Sequence, residues 1–188
     1  MAFWADGTGN DPKRGFRWIL VNDNIEVYTL KKVSKPSFTL QEASHKYINH
    51  TYYYPGRVEW NTVTMTLVDP VNPDAAATLV DIIKSGGYSP ALTPTDYETM
   101  SKAGASSALG TIEIRQIDDK GKMVESWRLH NAWVKDVKFG ELDYESDDLT
   151  MIDVELRYDW AELETRNKSK STGSRQGSNK FFNAGQSK

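Results

Sequence analysis

The sequence predicts a mainly β protein, an antiparallel β-sandwich or small barrel of about eight strands with one flanking α-helix. The firmest observation is the stretch from Leu149 to Trp160, in which apolar and polar residues alternate strictly. A period of two is typical of a strand with one packed face and one polar face. Further short alternating stretches separated by turn residues, together with a single amphipathic helix, complete the pattern.

Composition limits the class of protein. The chain of 188 residues is long enough for one domain with a sizeable core. It contains no cysteine, which excludes disulfides and thiolate metal sites. Because no hydrophobic leader or apolar run of roughly 18 residues occurs, we expect a soluble protein, made inside the cell, without a membrane anchor. The pattern predicts a flexible N-terminal arm (1–14), a β domain (15–164) and a disordered basic tail (165–188).

The first part of the chain predicts four strands. Residues 16–21 and 24–33 are expected to form a hairpin around the turn Asn22-Asp23-Asn24, because Asn and Asp tolerate the positive φ of such turns. Residues 37–43 predict a shorter strand. In residues 57–68, threonines alternate with apolar residues, which indicates one continuous strand.

One helix is predicted from Asp74 to Ser85. Pro73 precedes it, Gly86-Gly87 follows it, and its apolar residues form a stripe that would cover one side of a sheet. That stripe consists of Leu79, Val80, Ile82 and Ile83. A second, short helix is expected near residues 97–102.

The second half of the chain predicts four further strands. Gly121 lies in a hairpin loop at a position suited to positive φ, and Gly140 permits a bend before the last strand. The strands are residues 110–117, 123–129, 132–139 (after a bulge at His130-Asn131-Ala132) and 149–160.

The segment from His45 to Gly56 contains four tyrosines and two histidines but shows no clear period. Tyrosine supplies contact area and a hydroxyl at low entropic cost, which suits an interface. The segment is therefore either an edge hairpin packed on its own domain or a loop between subunits. His45 and His50 are five residues apart, with no carboxylate close by to complete a metal site.

No catalytic or nucleotide-binding motif occurs in the sequence. Residues 141–164 contain ten carboxylates and one base, Arg157. A pair of carboxylates could serve a glycosidase, but so many acids in one strand and its loop favour a solvated or lumen-facing surface. We therefore predict no enzyme activity, no catalytic residue, no cofactor and no metal.

Three stretches together are typical of one protein family. They are the strand Val58–Met65 followed by Asp69, the helix directly after it, and the closing segment from Ala132-Trp133 through Gly140-Glu141-Leu142-Asp143 to Asp159-Trp160. In these stretches, over residues 15–164, the chain resembles the tail tube proteins of contractile-tailed, T-even-like bacteriophages. The basic tail and the length of the 45–56 segment depart from the family pattern.

The resemblance implies a structural virion protein that forms hexameric rings, stacked into a hollow tube inside a contractile sheath. The tube would conduct viral DNA non-specifically to the host. The implied partners are further copies of the chain, the tail sheath protein, and the baseplate and tail-terminator proteins. The tail would be assembled in the host cytoplasm.

Site residues follow from this comparison as expectations. Acids facing the lumen would repel phosphate and keep the genome from sticking to the wall. The candidate lumen residues are Glu141, Asp143, Glu155 and Asp159, and the candidate contacts between rings are Tyr47, Tyr52, Tyr53, Tyr54 and Arg57.

Three alternatives remain open at this point. Within the same architecture, the chain could be a tube-initiating baseplate protein or a secretion-system tube subunit. From another class, it could be a monomeric β-sandwich carbohydrate-binding module, with the tyrosines stacking on sugars.

Overall fold

The computed structural model of the chain describes residues 12–22, 24–93, 97–166 and 180–181. These residues form a five-stranded and a four-stranded antiparallel sheet, a two-stranded ribbon and two α-helices. The mainly β, antiparallel class is confirmed, and the described strands do not close into a barrel. The predicted N-terminal arm and basic tail lie mostly outside the described residues, so both remain predictions.

The bounds of the elements are as follows. The strands are β1 (Trp18–Val21), β2 (Leu30–Val33), β3 (Phe38–Tyr47), β4 (His50–Trp60), β5 (Val63–Val68), β6 (Ile112–Ile117), β7 (Met123–His130), β8 (Trp133–Lys138), β9 (Met151–Arg157), β10 (Trp160–Thr165) and β11 (Lys180–Phe181). The helices are α1 (Ala75–Ser85) and α2 (Lys102–Leu109), and a single 3-10 turn covers Val27–Thr29. The strands thus exceed the eight expected.

The core lies between the two larger sheets, whose strand orders are β1-β6-β7-β10-β11 and β2-β5-β9-β8. Both sheets contribute apolar side chains to one cluster, and the helices add Leu79 and Leu109 to it. The even positions of the predicted strand 149–160 are confirmed as core, since Ile152, Val154 and Leu156 are buried while Asp153 is exposed. The alternation therefore identified the correct packed face.

Two sheet crossings meet at one corner of this sandwich. The strand predicted over 149–160 ends at Arg157, and the chain resumes in the other sheet as β10. The bulge predicted at 130–132 is also wrong, because the chain crosses there from β7 to β8 with Asn131 at φ +54°. The Asp159 N–H donates to the His130 carbonyl at 3.0 Å, and the Asn131 amide donates to the Asp159 carboxylate at 2.8 Å.

The predicted hairpin of residues 16–33 is wrong as well. Strand β1 pairs with β6 and β2 pairs with β5, so the two strands belong to different sheets. The Asn22 amide donates to the carbonyls of Leu109 and Thr111, at 2.9 and 3.0 Å. Asn22 thus binds carbonyls at and just beyond the end of α2, where the sequence suggested only a tight turn.

The predicted strand 57–68 is divided between β4 and β5 at Asn61. Here the β2–β5 pair ends and a separate pair, β3–β4, begins. The Asn61 N–H donates to the Ser37 carbonyl at 2.9 Å, and the Ser34 N–H donates to the Thr64 carbonyl at 2.8 Å. Strand β3 thus follows β2, and β4 leads into β5, so that the pair β3–β4 continues the pair β2–β5 beyond the sandwich. We call residues 38–60 the ribbon.

The helix predicted at 74–85 is confirmed, with Asp74 as its N-cap. The Asp74 carboxylate accepts a hydrogen bond from the Ala77 N–H at 2.8 Å, and Leu79 and Ile82 are buried. The short helix expected near 97–102 is wrong, because α2 starts only at Lys102. Ser101 caps it through a bond from the Gly104 N–H at 3.0 Å, a capping position that composition alone did not reveal.

Candidate assembly surfaces

The ribbon exposes both of its faces. Every residue of β3 is exposed, and on β4 only Thr51 and Trp60 are not. A two-stranded hairpin alone in water is marginally stable at best, and apolar exposure on both faces is typical of a surface that binds a partner. Of the two alternatives for residues 45–56, the described geometry therefore favours a segment that reaches away from its own domain.

The candidate ring-contact residues are distributed over the whole ribbon. Strand pairing and alternation place Tyr47, Tyr52 and Tyr54 on one face and Tyr53 on the other. Arg57 lies at a register shift between the pairs Leu40–Val58 and Glu42–Pro55. All four tyrosines are exposed. Because Tyr53 extends the aromatic surface to the second face, two neighbouring protein surfaces could use both faces of the ribbon.

A groove of about 610 Å³ lies at the root of the ribbon. Trp60, Trp133 and Tyr158 contribute aromatic rings to its lining, and Met100 and Ala105 line it beside α2. The rings of Trp60 and Tyr158 are tilted against each other, with centroids 5.9 Å apart. Burial raises the pKa of Tyr158 to about 12, so its hydroxyl stays neutral at physiological pH. The groove opens to the surface, and its lining combines these apolar and aromatic side chains with four charged ones: Glu59, Lys102, Arg157 and Asp159.

Asp159, one of the four candidate lumen acids, lies at the rim of this groove. Its carboxylate accepts hydrogen bonds from the Lys102 ammonium at 2.7 Å and from the Asn131 amide. The Lys102 bond, followed by the Asn131 bond, holds the pKa of Asp159 below its usual value. Asp159 thus joins α2 to the corner of the sandwich.

Glu155 lies on the exposed face of the four-stranded sheet, where its charge is compensated. The Lys135 ammonium donates to it at 2.9 Å, and this bond, with a second from Thr62, lowers its pKa. Bases outnumber acids among the charged side chains of this face, which include Lys31, Lys32, Lys135, Lys138, Arg157, Asp136, Asp153 and Glu155. The negative sheet suggested by the sequence around β9 is therefore balanced by bases from β2 and β8.

Glu141 and Asp143 lie elsewhere, in the exposed connection between β8 and β9. We call residues 139–150 the acidic loop. It contains five acids and no base, and both Leu142 and Tyr144 project into solvent. The acidic loop and Asp159 are at opposite ends of the seven-residue strand β9, about 24 Å apart. The four candidate acids therefore form no single cluster, and the uncompensated charge is concentrated in the acidic loop.

Glu125 organises a buried ionic network that the sequence did not indicate. Its carboxylate binds the ammonium groups of Lys13 and Lys35, and Trp127 donates to it through Nε1 at 2.6 Å. Burial opposes ionisation of Glu125, but the bonds from Lys13, Lys35 and Trp127 outweigh it and lower its pKa to about 2. Lys35 lies three residues before the ribbon, so this network joins the chain near the ribbon root to β7.

The histidines do not form a metal centre. His45 and His50 are exposed on the ribbon, and His130 stacks on Trp160 with ring centroids 3.7 Å apart. Within residues 12–22, 24–93 and 97–166, no group of three or more metal-binding side chains occurs. Neither of the described helices is long and apolar enough to span a membrane.

The family model of the T4-like virus tail tube protein gp19 matches residues 14–162 of the chain. No curated protein matches the sequence. The fold is similar to a chain in the cryo-EM structure of the anti-feeding prophage tube-terminating cap, with a TM-score of 0.61 and 16% identity, over 88% of this chain and 99% of that one.

A second similar fold occurs in the PVC sheath-tube complex of an extracellular contractile injection system in its extended state. The TM-score is 0.58 and the identity 19%, over 82% of this chain and 93% of that one. A chain of the anti-feeding prophage baseplate gives a TM-score of 0.59 at 14% identity, over 82% of this chain and 96% of that one. At these identities the likeness shows the fold alone.

Proposed function

Because the chain belongs to the T4-like virus tail tube protein gp19 family, we propose that it assembles into hexameric rings that stack as a hollow tube. The family assignment makes it a structural tube subunit of a contractile phage tail or injection particle. In this role it has no catalytic activity, and it is assembled in the host cytoplasm. Its partners are further copies of itself, a sheath protein, and baseplate and terminator proteins. The structures of similar fold come from such assemblies.

Ring closure is supported by the free edges of the sheets. Among the described strands, β2 and β8 are the outer strands of the four-stranded sheet. An edge strand presents unpaired N–H and carbonyl groups that invite pairing with another chain. Pairing of β8 of one copy with β2 of the next would satisfy these groups and would leave no free edge in the four-stranded sheets of a closed ring. A head-to-tail contact of this kind closes when the rotation between copies divides a full turn.

The ribbon is the observation that carries the proposal. Its tyrosines and Arg57 offer contact area on both faces, which suits a position between neighbouring subunits of adjacent rings. A monomer would leave all of this surface in water.

The acids support a tube that conducts DNA. Glu141 and Asp143, with the rest of the acidic loop, line the lumen and keep the phosphates of passing DNA from binding. Glu155 and Asp159 contribute less to the potential, because Lys135 and Lys102 compensate their charges.

Negative-stain electron microscopy of the purified protein tests the assembly. We expect rings and long tubes with a central channel. Rings that never elongate would instead indicate a tube initiator. A monodisperse monomer at high protein concentration would overturn the proposal.

A further inference from the structure

The tip of the ribbon contains a residue whose backbone conformation is unfavourable. Ile48, in the turn between β3 and β4, has φ +52°. A β-branched residue in this region is an outlier, since its Cβ crowds the backbone, and glycine or asparagine is usual in such turns. The strain has no evident benefit within the subunit, because the Ile48 side chain is 88% exposed. Local strain of this kind is typical of positions that serve a function.

The tip also exposes two large side chains without a formal charge. Tyr47 precedes Ile48 and is 63% exposed, and no Asp, Glu, Lys or Arg occurs between Tyr47 and Tyr54. The tip therefore presents two large side chains that would gain by leaving water and that lose no charge solvation on burial.

The groove at the ribbon root offers a matching environment. Its volume of about 610 Å³ is within the range of roughly 300–1,000 Å³ typical of sites that enclose small ligands. Trp60, Trp133 and Met100 give it an apolar lining, and the carboxylate of Asp159 at its rim is bound by Lys102. A neutral group can pack against this aromatic and apolar part of the lining, where Lys102 already compensates the charge of Asp159.

Tip and groove of one chain cannot meet. The ten-residue strand β3 separates them by about 30 Å, because a strand rises roughly 3.3 Å per residue. We propose that Tyr47 and Ile48 of one copy insert into the groove of a neighbouring copy. This inference rests on the proposed self-assembly and specifies the surface to which the ribbon tip of each subunit binds. Since tip and groove are different surfaces, the contact is head-to-tail and repeats along a ring or tube.

The substitution Ile48→Gly separates this role from a structural one. Glycine relieves the positive φ, so the unassembled subunit should unfold at the same temperature as the wild type or higher. Tube formation should require at least a roughly tenfold higher protein concentration, which corresponds to the burial of one isoleucine side chain. The matched control is Val71→Gly, because Val71 is 99% exposed in the turn before α1, outside the ribbon. Tubes of Ile48→Gly at the wild-type concentration would overturn the inference.

Disulfide crosslinking tests the location of the contact directly. The chain has no cysteine, so two introduced thiols are the only ones present. A double variant with Ile48→Cys and Met100→Cys should give a ladder of covalent oligomers when its tubes are treated with a mild thiol oxidant. A double variant with Ile48→Cys and Val71→Cys should not. Tubes of the first variant without a ladder would refute the groove contact but leave the tube function standing. A wild type that forms no tubes would refute the tube function itself.

Discussion

At the scale of single residues, Glu125 is the group whose ionisation should matter most for stability. Its carboxylate is buried and bound by Lys13, Lys35 and Trp127, which lower its pKa to about 2. For Glu125→Gln we expect the free energy of unfolding at pH 7 to fall by about 3 kcal/mol, because the pKa lies about 2.5 units below its unfolded value. Urea denaturation of the unassembled subunit measures this loss.

The effect of Glu125 should depend on pH with a definite sign. The folded pKa is depressed, so the contribution is complete above the unfolded pKa of about 4.5 and is lost as the pH falls towards 2. The stability difference between wild type and variant should therefore shrink to under about 1 kcal/mol near pH 2. The control is Asp81→Asn. The Asp81 side chain is exposed and lies as far as 3.9 Å from the Lys84 ammonium, so its loss should change stability little at any pH. A Glu125 effect independent of pH would contradict the assignment.

The Glu125 network also shows why residue-scale prediction from sequence was limited. Its two lysines lie 112 and 90 residues away along the chain, so no local pattern joins them to Glu125. The same holds for Glu155, whose sequence neighbours are mostly acidic but whose spatial neighbour is Lys135. The sequence shows where the acids lie along the chain, but the bases that compensate them come from segments that only the fold brings close.

At the scale of elements, the turn at Gly140 fixes the start of the acidic loop. Gly140 has φ +81°, and a Cβ placed there would lie 2.6 Å from the Met151 carbonyl oxygen. Gly140→Ala should therefore combine backbone strain with a collision against β9, at a cost of about 2–4 kcal/mol in the free energy of unfolding. Chemical denaturation of the purified variant measures it.

Two other glycines separate the causes. Gly121 has φ +73° but open space around it, so Gly121→Ala should show the strain alone, about 1–2 kcal/mol. Gly15 has open space and no positive φ, so Gly15→Ala should change the free energy of unfolding least. Equal losses at Gly140 and Gly121 would show that the contact with Met151 has no energetic weight.

Element prediction succeeded where a residue pattern has one physical cause. Alternation identified the buried face of β9, and the proline, cap and glycine signals identified α1. The prediction of elements failed at the corner of the sandwich, where β9 is followed by β10 in the other sheet. Tyr158 and Trp160 continue the alternation through that crossing, so the sequence contains no mark of it. The two strands are distinguished only by their pairing partners: β9 pairs with β5 and β8, whereas β10 pairs with β7.

At the scale of the whole molecule, strand β9 separates two different surfaces. The acidic loop precedes it, and the groove with its aromatic rings adjoins its far end at Arg157. A subunit with unlike ends suits head-to-tail assembly, in which each surface repeats once per copy. In the proposed hexameric ring, six acidic loops would create a negative potential far larger than that of one subunit.

This repetition predicts how tubes treat DNA. Reversing two charges of the loop, with Glu141→Lys and Asp143→Lys, should make the lumen bind phosphate, most strongly at low salt. Purified tubes of this variant, mixed with short double-stranded DNA, should protect more of it from nuclease than wild-type tubes do, because enclosed DNA is inaccessible to the enzyme. The control reverses two acids elsewhere, with Asp81→Lys and Glu98→Lys, and should protect no more than wild type. If both variants protected DNA equally, the acidic loop would not face the lumen.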